Sequence, residues 1–227
     1  MRKHLWATVL VAAASALAVG LAAVPVAAAG KTWTVTPGGS FVTSTPGTSS
    51  TLTDASTFAH FACDGLTARG ILKVGAALTN PLAHITVLND AKSGTPQITC
   101  AGHGLTFTLT FNRFPMGMKA VQYNATAGKV TGEIDNIDAT IAAATGAPAC
   151  AAIVDGTASG AGDGSARFEY LNSSGLVQSF GGGSHPLHAY AVTGCNAVIR
   201  TGDALTYKGS FTIKSSPGGV VNTITSP

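Results

Sequence analysis

Residues 181–195, GGGSHPLHAYAVTGC, set His185 and His188 close together and a short way before Cys195. Two imidazoles and a thiolate are zinc ligands, so the stretch raises the question of metal capture. Pro186 lies between the histidines and imposes an extended or turn backbone, so the rings are not one helical turn apart. His188 opens an alternating run and shares a strand face with Tyr190 and Val192, whereas His185 precedes that run. A third ligand would have to come from His60, His84 or His103, all distant in sequence. The expectation is a loop histidine and a sheet histidine, with no transition-metal site and no cofactor.

Other candidate chemistry falls short in the same way. DGTASGAGDGSA (155–166) offers oxygens at Asp155, Thr157, Ser159 and Asp163 in the order of a calcium loop, with Gly160 at the sharp turn. Ala166 stands where that loop needs a bidentate glutamate, so the segment reads as a glycine-rich connection. GGSHP (182–186) opens like a nucleophile elbow around Ser184, but Pro186 replaces its last glycine. Glu133 and Glu169 are the only glutamates. Either could pair with an aspartate as a glycosidase does, yet chain spacing does not fix the separation of two carboxyl groups. Both are expected as solvated strand residues. A sugar-stacking platform would draw on Trp33, Tyr123, Tyr170, Tyr190 and Tyr207. The tyrosines fit strand positions, and Trp33 is expected to plug one end of the core. NAT at Asn124 and NSS at Asn172 match the glycosylation pattern, but the bacterial-looking leader argues against modification. No catalytic, cofactor-binding or metal-binding residue is expected.

The elements that would position these residues begin with a leader. Arg2, Lys3 and His4 precede an apolar run from Leu5 to Val24, then Pro25, and Ala27 and Ala29 form an A-x-A site. That layout predicts a signal peptide over 1–29, cut between Ala29 and Gly30, and a single exported domain over 30–227 with no permanent membrane anchor. No cysteine closely follows the run and one arginine precedes it, so neither a lipid anchor nor twin-arginine export is signalled. Lys and Arg total 13 against 10 Asp and Glu. Arg2 and Lys3 leave with the leader, so the mature chain is nearly neutral. Its basic residues are scattered singly, which excludes a nucleic-acid partner. Cys63, Cys100, Cys150 and Cys195 all lie in the exported region, and an even set there reads as two disulfides. Three connectivities exist. A faint doubling of the chain, one early and one late cysteine in each half, favours Cys63–Cys100 with Cys150–Cys195.

Period-two alternation dominates. LTFTLTF puts Leu105, Phe107, Leu109 and Phe111 on one face and threonines on the other; LTYKGSFTIKS does the same with Leu205, Tyr207, Phe211 and Ile213. Both predict half-buried antiparallel strands. KAVQYNATAGKVTGEI and RFEYLNSSGLVQSF read as hairpins. TWTVT, STFAHFAC, TARGILKV, HITVL and HAYAVTG supply further strands. EIDNIDATIAAATG fits both periods and is assigned to a strand because its neighbours are strands. The sum is an all-β fold of about ten short strands, mainly antiparallel, a sandwich or a barrel.

WTVTPGG after the cleavage site, PACAAIVDGT and the terminal TITSP resemble uncharacterised small secreted proteins of actinobacteria. The resemblance implies export and a β-rich fold, and carries over no functional residue. The expected function is a non-catalytic secreted or envelope-associated protein that binds a ligand or envelope component not identified by the sequence. A secreted hydrolase whose site assembles only in three dimensions, and a structural wall or matrix component, are the alternatives. Oligomeric state stays open.

Overall fold

The computed structural model describes residues 31–43 and 50–227. The expected leader and the Ala29–Gly30 cleavage point lie outside the described residues. β1 (Trp33–Thr36) leads into eight antiparallel arms that follow chain order. The first arm is β2 (Gly39–Thr43) and β3 (Ser50–Asp54), and the second is β4 (His60–Cys63) and β5 (Leu66–Leu72). β6 (Gly75–Leu78) lies in the turn to the third, β7 (Ala83–Asp90) and β8 (Gln97–Gly102). β9 (Leu105–Phe111) and β10 (Met116–Asn124) form the fourth; β11 (Lys129–Ile137) and β12 (Ala139–Ala143) form the fifth. The sixth is β13 (Ala151–Asp155) and β14 (Gly164–Leu171), the seventh β15 (Leu176–Phe180) and β16 (His188–Thr193). The eighth is one unbroken strand, β17 (Leu205–Ser215), followed by β18 (Thr223–Thr225). The described strands number 18, not about ten, because seven arms are split in two at a common waist.

Neighbouring arms pair along both of their segments, which makes two rings. The first runs β2-β5-β7-β10-β11-β14-β15-β17 and closes on itself, because β17 pairs with β15 (Phe211↔Val177) and with β2 (Lys214↔Val42). It is a closed eight-stranded antiparallel barrel. The second runs β17-β3-β4-β8-β9-β12-β13-β16, and its final contact is a single bridge between His188 and Ala204. β17 serves both rings: residues 205–208 pair with β3, 209–212 with β15 and 213–215 with β2.

The alternation sets which face is dry. Leu105, Phe107 and Leu109, and Leu205, Tyr207, Phe211 and Ile213, are buried. In the first ring two glycines make room for inward aromatic rings on the facing strand. A Cβ on Gly70 would fall 2.6 Å from the ring of its cross-strand partner Phe41, and one on Gly132 would fall 2.8 Å from that of Phe168. Only glycine lets the two backbones flank those rings without displacement. β1, β6 and β18 form a small separate sheet. They adjoin the start of β2, the β5–β7 turn and the end of β17, so the sheet sits at the first ring's open end. Trp33 and Val35 are wholly buried there. Asn172 clamps Ile224 with two hydrogen bonds, and the Tyr170 hydroxyl donates to the carbonyl of Asn222.

Both disulfides lie in the second ring. Cys63 on β4 joins Cys100 directly opposite on β8, and Cys150 joins Cys195 at the ends of β13 and β16. They fit an oxidising compartment. Each half of the chain gives arms to both rings, so the cysteine doubling does not correspond to two structural units.

Three strands end on a buried aspartate: Asp54, Asp90 and Asp155. Asp54 Oδ1 accepts the amides of Ser56 and Thr57, and Asp90 Oδ1 those of Lys92 and Ser93. The two turns look alike, yet their carboxyls are shifted in opposite directions. Burial raises Asp54; the Thr57 amide works against this and the Asp203 carboxyl adds to it. Burial also acts on Asp90, but the Ser93 and Lys92 amides outweigh it and the net shift is downward. Asp90 therefore stabilises the fold above its ordinary value of 3.8, and that stability is lost as pH falls through its lower native value. For Asp54 the sign reverses: stability present below 3.8 is lost as pH rises through its higher native value. At neutral pH, Asp90→Asn should cost about 1–2 kcal/mol through the weakened charged acceptor, whereas Asp54→Asn should be neutral or stabilising. Urea unfolding of both variants at pH 7 and at about pH 3 checks this, and the gap between them should narrow in acid.

Candidate functional site

The barrel interior is filled. Its cavity, at the waist, is about 50 Å³ and is lined by side chains including Leu88, Met116, Leu187, Tyr207 and Phe211. Binding sites for organic ligands usually offer about 300–1,000 Å³, so this space holds no such molecule. Concave surface of that size lies outside.

One concavity, about 520 Å³, covers the outer face of β11, β14 and the end of β15. The register sets Glu133 opposite Arg167 and Thr131 opposite Glu169, which brings both glutamates to one face with Phe180 at its edge. Each carboxylate already has a partner: Lys129 Nζ lies 2.9 Å from Glu169 Oε1, and the Ser184 hydroxyl donates to Glu133 Oε2 at 2.8 Å. On the neighbouring pair of strands, Lys119 bridges to Asp135 at 2.5 Å.

A second, about 430 Å³, is a cleft at the waist where the sixth and seventh arms are interrupted by residues 156–163 and 181–187. Its wall carries Thr157, Ser184, His185, His188 and Tyr190. Buried Asp155 shapes the first interruption by accepting the amides of Gly156, Gly162 and Asp163. The loop so folded presents Asp163, whose carboxylate accepts the Thr157 amide at 2.9 Å and the Thr157 hydroxyl at 2.6 Å. The Thr157 hydroxyl, its amide and the nearby His185 hold the Asp163 carboxyl below the usual carboxylate range. Arg113 braces the loop by donating to the Ala161 carbonyl at 2.8 Å.

His185 enters from the second interruption and is held twice. Its backbone amide donates to Ser165 Oγ at 2.9 Å, and its carbonyl accepts the Ser165 amide at 2.8 Å. Its ring Nδ1 lies 3.2 Å from the Asp163 carbonyl and 3.4 Å from Asp163 Oδ2. Two acceptors face that nitrogen, so it carries a proton, and whenever the ring is neutral Nε2 keeps its lone pair. His188 occupies the bridge that closes the second ring. Its Nδ1 is buried without a partner, and its ring lies 6.5 Å from that of Tyr190. The Tyr190 hydroxyl donates to the Gly156 carbonyl at 2.8 Å, tying the two walls together.

The remaining candidates are dispersed. His60 Nδ1 meets Thr53 Oγ1 at 3.0 Å, the His60 amide donates to His103 Nε2 at 3.2 Å, and His84 sits on β7 of the first ring. Among the described residues no three His, Cys, Asp or Glu side chains gather as a metal-holding group. Asp155 and Asp163 turn their oxygens onto the loop's own amides, and Ala166 is buried in β14. Sequence reasoning set His185 and His188 side by side but missed the Asp163–His185 contact. That contact depends on how the loop folds about Asp155, and the one hint was the aspartates at both ends of DGTASGAGD. No family model, curated protein or solved structure matches this chain.

Proposed function

We propose that the mature chain works outside the cell as a non-catalytic binding protein, through its outer face and not through its interior. The packed barrel carries this reading: the cavity at its waist is about 50 Å³, and the larger concave, hydrogen-bonding surfaces are external. The leader-like N-terminus and the two disulfides support export. A secreted hydrolase draws support from one observation, the Asp163–His185 pair. Against it, the Ser184 hydroxyl is given to Glu133 and the Thr157 hydroxyl to Asp163, so neither is poised on the free ring nitrogen. The test is amide-shift mapping while a soluble extract of bacterial envelope is titrated in. Shifts should gather on residues such as Thr131, Arg167, His185 and Tyr190. Shifts confined to interior residues such as Leu88 and Met116 would refute the reading.

A further inference from the structure

We infer that the waist cleft is a binding site for a neutral, polyhydroxylated ligand, the end of a saccharide, held by an acceptor on His185 and a donor on His188. The inference rests on the outer-face reading and assigns that face a ligand chemistry.

The two imidazoles are prepared differently. His185 gives its Nδ1–H towards Asp163, so its neutral ring offers Nε2 as a hydrogen-bond acceptor on a side chain 48% exposed. His188 buries Nδ1 with no acceptor in reach. A buried N–H with no acceptor is more costly than a buried lone pair, so the neutral ring keeps its proton on Nε2 and offers a donor. The residues that line the cleft therefore include, as neutral rings, one acceptor and one donor. A sugar diol needs that combination, because each hydroxyl both gives and receives a hydrogen bond. The half-buried ring of Tyr190 beside His188 supplies an apolar face for the C–H side of a pyranose.

The surroundings favour an uncharged ligand. No lysine or arginine lines the cleft, so an anion would meet no fixed positive charge. The Asp163 carboxylate behind His185 would repel one, and its oxygens are turned onto Thr157. The site is also built before any ligand arrives: Asp155 fixes the loop, the loop fixes Asp163, and Asp163 with Ser165 fixes His185. Such preorganisation lowers the ordering penalty of binding.

The experiment is long-range proton–nitrogen NMR of the mature, disulfide-bonded protein with labelled histidine. In the free protein His185 should show the Nδ1–H tautomer and His188 the Nε2–H tautomer; the reverse assignment for either ring overturns the proposal. Glucose, N-acetylglucosamine and trehalose are then titrated, with inorganic phosphate as the charged counter-probe. At least one sugar should move both Nε2 resonances and the Thr157 and Tyr190 amides at millimolar concentration. His185→Ala and His188→Ala should each weaken that binding about tenfold or more. An unchanged amide spectrum away from the cleft shows that the variants fold. Response to phosphate alone, or no response to any sugar up to about 0.1 M, a Kd weaker than about −1.4 kcal/mol of binding, overturns the assignment. If envelope extract still shifts the cleft while sugars do not, the ligand class fails and the outer-face reading survives.

Discussion

Replacing Cys150 and Cys195 together by alanine should lower stability by about 4 kcal/mol, the chain-entropy value for a bridge spanning 45 positions. The loss should also be local. The bridge fastens β13 to β16, and β16 is the strand through which the second ring meets the segment leading into β17, by the His188–Ala204 bridge and a few bonds such as Gly202 N–H to the Ala189 carbonyl. Without it, hydrogen exchange should quicken first in β13 and β16, while β10, β11 and β14 of the closed barrel keep their protection. Urea unfolding gives the size of the effect and native-state exchange gives its place. Uniform loss of protection through both rings would mean that the seam is not a separate weak point.

Trp33→Ala should cost about 3–5 kcal/mol, the range for deleting a large buried aromatic ring. Trp33 is wholly buried at the end of the first ring, and no other large side chain of the small sheet matches its volume. Its indole Nε1 is buried without a partner, so Trp33→Phe loses volume but no hydrogen bond and should cost well under half as much. Far-ultraviolet circular dichroism in denaturant compares the three proteins without relying on tryptophan emission. Equal losses for both variants would show that the indole nitrogen matters more than the filling of the end.

Alternation made the strands legible where large apolar residues mark one face. LTFTLTF and LTYKGSFTIKS have the buried faces read from them, except that Phe111 is only partly buried, and both hairpins form at their NATAG and NSSG turns. EIDNIDATIAAATG is strand on both sides of Asp138. GSFVT, STLTD and GAAL stayed hidden because small and hydroxyl residues occupy many of their positions. The choice between sandwich and barrel could not be read locally, since closure depends on β17 meeting strands from the opposite end of the chain. The cleft was half legible. Pro186 and the start of β16 placed His185 before a strand and His188 on it, but Asp163 reaches His185 only through a loop folded on a buried carboxylate. No periodicity records that.

β17 is the last arm to be made and the one that both rings require. Until residues 205–215 are available, β2, β3 and β15 each keep an unpaired edge, and neither ring can close. Until that arm has been made, a nascent chain thus lacks the piece that completes both rings. It should stay open until then, and afterwards fold slowly through contacts between strands far apart in sequence. During that interval its bare strand edges are exposed to neighbours, so this is the stage at which aggregation competes with folding.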